Sequence, residues 1–276
     1  MAYLCLVKKK QQLFKWVKIL IVLYCLVGIA GYFLQEKLLF RAVKLSPDSS
    51  YHFPAAFKEL TLAMDASTSL NMVQFTVADS LKKGLVLYFH GNRQNISHYA
   101  AFAQNFTRNH YEVWMPDYPG FGKSTGEMSE QLLYEQALQV YKLARTHYQP
   151  GQIIIYGKSI GTGIATELAA VRDCKSLVLE TPHYGLVSLM NTFFWMYPVE
   201  KLLHYKFPIY QYITRVSAPI TIFHGTDDGT IPYRNAHQLA PLLKPGDQFI
   251  TIEKGTHNNL TGFSQYQTKL DSLLKH

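Results

Sequence analysis

The chain predicts an α/β fold, a mostly parallel sheet with helices on both faces. Three observations predict it. Short apolar runs rich in β-branched and aromatic residues recur at 85–89, 152–156, 176–180 and 220–223; continuous apolar strands of this length suit a sheet covered on both faces. Helix-compatible segments lie between them, so strand and helix alternate. With 276 residues, 48% hydrophobic and 17% charged, the chain is long and apolar enough for one well-cored body and is not disordered.

The first element stands apart from that rhythm. Residues 19–35 carry no charge, and as a helix they measure about 26 Å. Adding Trp16, Val17 and a snorkelling Lys18 brings the segment to bilayer thickness, with Trp16 and Tyr32 near the two interfaces. Lys8, Lys9, Lys10, Lys15 and Lys18 precede or open it with no acid among them. That asymmetry expects a cytoplasmic N-terminus and a body on the non-cytoplasmic side. A cleaved signal peptide is the competing reading, but Gly28-Ile29-Ala30 is a mediocre cleavage site and the apolar run continues to Leu34. The expected division is residues 1–35 as basic N-terminus and transmembrane anchor, and 36–276 as the body.

The formal net charge of +8 is largely this N-terminal cluster; the remainder holds 22 basic against 19 acidic residues. No basic stripe remains on the body to serve nucleic acid. Of Cys5, Cys25 and Cys174, only the last lies in the body. No disulfide can form within the body, and the three are too scattered for a metal site.

In the body, residues 38–54 read as an irregular connector with a turn at 46–50. Strands at 57–63 and 70–77 make an antiparallel start to the sheet. A buried strand at 85–89 leads to a helix at 96–108, and a strand at 112–115 ends on Pro116-Asp117. A long amphipathic helix covers 129–148, with Ser129 as its N-cap. Strands at 152–156, 176–180, 220–223 and 248–253 follow, with final helices at 233–243 and 263–275. Between Pro182 and Ser217 no strand is evident, and aromatics crowd the segment. It reads as a small helical cap, about 183–217; an ordinary crossover helix with long loops is the alternative.

Gly157-Lys158-Ser159-Ile160-Gly161 joins the strand at 152–156 to a run of small, helix-compatible residues. Strand, tight turn, helix is the setting in which a G-x-S-x-G serine projects above a sheet edge. The next amide, on Ile160, opens a helix and can face an oxyanion. A serine hydroxyl needs a base, and the base an orienting acid, here in the chain order serine, acid, histidine. His257 follows the last strand on a loop and is the expected base. The acid is Asp228 or its neighbour Asp227, both on the loop after 220–223; Glu180 is a third candidate. A second oxyanion donor should follow an early strand. Gly91 permits close backbone approach there, and the Asn92 amide is the candidate. His90, His224 and Asp117 read as loop organisers, and Lys158 as part of local packing.

Together these residues resemble the α/β-hydrolase superfamily, and within it the compact, N-terminally membrane-anchored branch related to serine aminopeptidase-like and monoacylglycerol-lipase-like enzymes. The likeness runs from Gln35 to the C-terminus, through Gln35-Glu36-Lys37-Leu38-Leu39-Phe40, Tyr88-Phe89-His90-Gly91-Asn92, Pro116-Asp117-Tyr118-Pro119-Gly120-Phe121-Gly122, the serine pentapeptide, His224-Gly225-Thr226-Asp227-Asp228 and Thr256-His257-Asn258. Pro119 departs from the family pattern, where arginine is common. The resemblance implies an eight-stranded sheet, Asp228 as the acid, and hydrolysis through an acyl-enzyme without metal or organic cofactor. The expected substrate is an apolar carboxylic ester or thioester; the bilayer is the expected partner. A peptidase with the same triad is the alternative, although 183–217 offers only Glu200 to bind a peptide N-terminus. A non-catalytic scaffold would be expected to show a broken triad, and none of these positions is broken.

Overall fold

The computed structural model describes residues 2–275, with side chains from Lys9 onward; Cys5 and Lys8 lie outside the described side chains. A long helix, α1 (Ala2–Leu39), precedes an eight-stranded sheet. Its strands are β1 (Phe57–Ala63), β2 (Ser69–Phe75), β3 (Gly84–Phe89), β4 (Tyr111–Pro116), β5 (Ile153–Lys158), β6 (Ser176–Glu180), β7 (Ile220–Gly225) and β8 (Gln248–Ile252). The spatial order is β1-β2-β4-β3-β5-β6-β7-β8. The β1/β2 and β2/β4 pairs are antiparallel and the other five parallel. Every residue of β3, β4, β5 and β7 is buried, as their unbroken apolar runs require, whereas the edge strand β1 alternates toward solvent.

Two apolar layers cover the sheet. One is built on α2 (Glu130–Ala144) and α3 (Gly161–Val171), through Leu133, Val140, Ile164 and Leu168. The other is built on the turns at 96–107 and on α5 (Ser264–Lys275), through Ile96, Phe106, Tyr266, Leu270 and Leu274. Helix α2 starts where expected, with the Ser129 side chain accepting from Leu132 N at 3.1 Å. It stops at Ala144, short of Tyr148, where the chain turns inward and the Tyr148 hydroxyl bonds buried Glu112 ahead of Pro150.

Two expected helices are broken. The 96–108 segment tightens at Ala100–Ala103, between helical turns Ile96–Tyr99 and Gln104–Thr107. The 233–243 segment tightens after Ala236 and contains Pro241, which has no N–H for a helical bond. The connector is more ordered than expected: Arg41–Ala42 pairs in parallel with Arg93–Gln94, and Lys44 bridges to Gly122.

Between β6 and β7 the chain carries α4 (Leu186–Phe193) and helical turns at Val199–Leu202 and Ile209–Tyr212. Its aromatics divide three ways. Tyr205 and Phe207 are buried in the core layer of α2 and α3, and the Phe207 ring lies where any side chain on Gly163 would fall. Tyr197 lies against α1. Phe193, Phe194 and Trp195 are exposed.

Helix α1 contains a stretch, Lys9–Leu39, long and apolar enough to cross a membrane by length and composition, and its apolar window is not buried against the rest of the protein. The body touches it at Tyr24, through Tyr197, and near its C-terminal end. Gln35 Nε2 donates to Leu202 O at 3.0 Å, and its Oε1 accepts from His204 N at 2.8 Å.

His183, just after β6, is buried with no hydrogen-bond partner on either ring nitrogen among the described residues. Burial pushes its pKa down to about 3. In the unfolded chain it takes up a proton near its ordinary value of about 6.5. Between those values the unfolded state binds one proton more, so stability falls as pH falls, by up to about 1.4 kcal/mol per pH unit. The His183→Leu variant is expected to show a flatter dependence of Tm on pH from about pH 7 to pH 5. Equal slopes for variant and wild type would contradict the neutral buried state.

Candidate active site

Ser159 sits at the C-terminal end of β5 with φ of 53°, in the left-handed region that non-glycine residues seldom occupy. The surroundings hold it there. Ser159 N donates to Glu180 O at 2.9 Å, and its carbonyl accepts from Thr162 N at 3.0 Å. A side chain on Gly157 would meet Gly161 O and Thr162 Cα at 2.6 Å; one on Gly161 would meet Phe89 O at 2.2 Å. Both glycines are therefore required for α3 to start so close to β5 and β3.

The sheet places the other groups beside this turn. Strands β4 and β5 flank β3 on opposite sides, and loops leaving carboxyl ends at such a reversal form a crevice. The loop after β3 closes on Ser159: a side chain on Gly91 would fall 3.7 Å from Ser159 Cβ. From the far side, after β8, comes His257. Its Nε2 lies 2.9 Å from Ser159 Oγ, and its Nδ1 lies 2.8 Å from Asp228 Oδ2. Thr256 N donates to Asn259 Oδ1 at 2.7 Å, bracing the histidine loop.

Asp228 is held on both oxygens. While Oδ2 faces His257, Oδ1 accepts from Thr230 N and Ile231 N, each at 2.8 Å. Burial opposes its charge, but the hydrogen bond and charge of His257 and the Ile231 amide win, and the carboxyl is held below the ordinary aspartate value. Burial lowers the pKa of His224; its Nε2–H donates to Ile231 O at 2.9 Å and so closes the same turn. Asp227 is exposed and accepts from the Thr226 hydroxyl. Of the three candidate acids, the structure brings Asp228 alone to His257.

Glu180, the third candidate, belongs to a buried cluster beneath the turn. Its carboxylate pairs with Lys158 Nζ and accepts from the Tyr156 hydroxyl and, at 3.0 Å, from Tyr266. Lys158 Nζ also lies 3.4 Å from His257 O. Lys158 is thus more than local packing; its pairing with a residue on the next strand has no local sequence signal. Asp117 accepts from Ile96 N at 3.0 Å, and its pKa is raised by burial. His90 Nδ1–H donates to Gly91 O at 2.7 Å, and His90 O accepts from the Tyr118 hydroxyl at 2.7 Å. These two residues organise the loops after β3 and β4.

Of the two candidate oxyanion donors, Ile160 opens α3. Asn92 lies on the loop that meets Ser159, and the end of α1 holds it: its Nδ2 donates to Leu39 O, and its carbonyl accepts from Arg41 N at 2.8 Å. Two clefts, of about 540 and 340 Å³, open elsewhere, beside Arg145, Arg172 and Arg215 and beside Phe40 and Pro119. Neither is lined by Ser159 or His257. Among the described residues no group of three His, Cys, Asp or Glu side chains is placed to hold a metal ion.

A family model described as the alpha/beta hydrolase fold matches residues 84–207. Alpha/beta hydrolase domain-containing protein 17C of Xenopus tropicalis is 29% identical over 196 residues, 69% of this chain and 61% of that protein. The 17B protein of Xenopus laevis is 30% identical over 193 residues, 68% of this chain and 65% of that protein. The match thus spans less than two thirds of these relatives' length. A Pyrococcus furiosus esterase structure superposes with a TM-score of 0.66 at 16% identity, covering 85% of this chain and 98% of that one. The chain has the α/β-hydrolase fold, and its sequence is similar to that of members of the superfamily.

The Lys158–Glu180 pair carries a stability prediction. Removing one partner of a buried pair strands the other charge, at a cost of about 3–5 kcal/mol, whereas replacing both is often near neutral. Glu180→Gln is expected to lower stability by that order, and Lys158→Met with Glu180→Gln to recover much of the loss, both read by urea unfolding. A double variant as unstable as the sum of the singles would show that the pair is not coupled.

Proposed function

We propose that this chain is a membrane-anchored serine hydrolase that cleaves carboxylic esters or thioesters through a covalent acyl-enzyme. The observation that carries the reading is the unbroken relay from Ser159 Oγ through His257 to Asp228. Ser159 Oγ attacks the substrate carbonyl while His257 Nε2 takes its proton; His257 Nδ1–H stays on Asp228, whose depressed pKa keeps it anionic. The amides of Ile160 and Asn92 receive the developing oxyanion. His257 then returns the proton to the departing alcohol or thiol. Water, activated by the same histidine, releases the acid and restores Ser159. All these steps use side chains, backbone amides and water.

The apolar, unburied helix α1 supports the membrane reading, and the lysines in its N-terminal half support a cytoplasmic N-terminus with the body on the opposite side. The peptidase reading has less support. The single acid between 183 and 217, Glu200, is exposed on the helical turn Val199–Leu202, which follows the Tyr197 contact with α1.

Two measurements test this. A fluorophosphonate probe is expected to label wild type and to spare Ser159→Ala, whose turnover should fall by about 10⁴–10⁶. Asp228→Asn should cost about 10⁴ by losing the histidine's orientation, and Asp227→Asn far less. Labelling that persists in folded Ser159→Ala protein would sink the mechanism. For substrate class, each methylene buried in the transition state adds about 0.8 kcal/mol, so kcat/KM for p-nitrophenyl esters should rise about three- to four-fold per methylene until the binding surface is full. A profile falling from acetate upward, or faster cleavage of aminoacyl anilides than of any ester, would overturn the preference for apolar acyl groups.

A further inference from the structure

The segment between α4 and the body runs alongside α1. Its lower end is fixed by Tyr197, whose ring stacks on Tyr24 with centroids 4.4 Å apart and planes 3° from parallel. Tyr24 donates its hydroxyl to Met196 O at 2.7 Å, and Tyr197 donates to Tyr24 O at 3.1 Å. Gly28 makes room: a side chain there would fall 3.1 Å from the Tyr197 ring. The upper end is fixed by the His204 ring, 4.6 Å from that of Tyr32, and by the Gln35 bonds to Leu202 and His204. Tyr24 lies about 12 Å along the helix from Tyr32. At the lower end Phe193, Phe194, Trp195 and Met196 are 50%, 49%, 76% and 60% exposed.

A run of four large apolar side chains left in water is a costly surface for a soluble domain, and such patches mark interaction sites. This one is continuous with the apolar surface of α1, where Leu20, Val22, Leu23 and Val27 are likewise exposed. Any membrane that surrounds α1 at Tyr24 surrounds the tip as well. The charges agree with this depth. Glu200 and Lys201 are exposed on the helical turn between the two fixed ends, above the tip, from where a lysine can snorkel outward to the headgroups.

We propose that residues 193–197 form a second membrane-inserted element, a loop tip buried in the outer part of the hydrocarbon layer beside α1. The partner is the lipid bilayer itself. The tip reaches about 10 Å into the layer, the depth at which interfacial apolar faces lie, and Trp195 is its most exposed residue. The inference rests on the membrane reading of α1 and is independent of the hydrolase chemistry. Held at α1 and at the tip, the body could not swivel freely about a single helix.

Depth-dependent quenching in the full chain tests it. With Cys5, Cys25 and Cys174 replaced by serine, single cysteines are introduced as Trp195→Cys, as Leu20→Cys in the anchor and as Lys142→Cys on α2. Each is labelled with the environment-sensitive fluorophore NBD and reconstituted in phosphatidylcholine vesicles. The expected result at 195 is blue-shifted emission, quenched more by a spin label on the upper acyl chain than by one on the headgroup, while the probe at 142 shows water-like emission and no quenching. Quenching at 20 with water-like, unquenched emission at 195 overturns the inference and leaves the anchor standing. Unquenched probes at both 20 and 195 overturn the membrane reading and the inference with it.

Discussion

The candidate site depends on the close approach of α3 to β5 at the Ser159 turn. A serine at φ of 53° costs about 1–3 kcal/mol relative to an ordinary conformation, and it persists only because its neighbours over-determine it. Gly157 and Gly161 have no room for a side chain, and the Ser159 amide is tied to Glu180 on the adjacent strand. A relaxed turn would lower the serine into the sheet edge, out of reach of His257. It would also turn the Ile160 amide away from the crevice. The strain is local, and the buried sheet on both sides supports it.

Buried charge is handled differently at two places near this turn. Beneath it, Glu180 faces Lys158 and two tyrosine hydroxyls, all deeply buried. Such a pair adds little net stability over an apolar substitute, but either partner alone would be costly; its effect is to fix the relative positions of β5, β6 and α5. Beside the turn, Asp228 has two backbone amides on one oxygen and His257 on the other. The first arrangement neutralises a charge completely, while the second keeps one available to an imidazolium. That difference separates the structural carboxylate from the candidate catalytic one.

The fold was legible in the sequence because its strands are buried on both faces and so read as unbroken apolar runs; β6 falls where the run predicts it, and β5 and β7 extend the expected strands only slightly at their carboxyl ends. The order of Ser159, Asp228 and His257 was legible because each lies on a loop just after a strand. Helix ends were less legible. Tertiary contacts stopped α2 early, and local tightening broke the segments at 96–107 and 233–242. Contacts between residues far apart in the chain were not legible at all. Lys158 with Glu180, Asn92 with Leu39 and Tyr24 with Tyr197 all join residues whose pairing has no periodicity and no local motif. The fates of the individual aromatics at 183–217 are not legible for the same reason. Composition marks Tyr205, Phe207 and Trp195 alike, yet two lie in the core and one faces outward.

The contact of Asn92 with Leu39 joins α1 to the body. A helix ends with carbonyls that need donors. At the end of α1 the donor for Leu39 is the side chain of Asn92, on the loop that closes on Ser159. The chain then continues by pairing Arg41–Ala42 with Arg93–Gln94 and seating Phe40 against Phe121 and Tyr205. The loop carrying the proposed oxyanion amide is thus held from one side by β3 and from the other by the segment that leaves α1. A helix joined to the body by a flexible linker would need no ordered pairing with that loop. Here the exit from α1 is part of the scaffold of the crevice, so the position of the body on α1 and the shape of the site are set by the same hydrogen bonds.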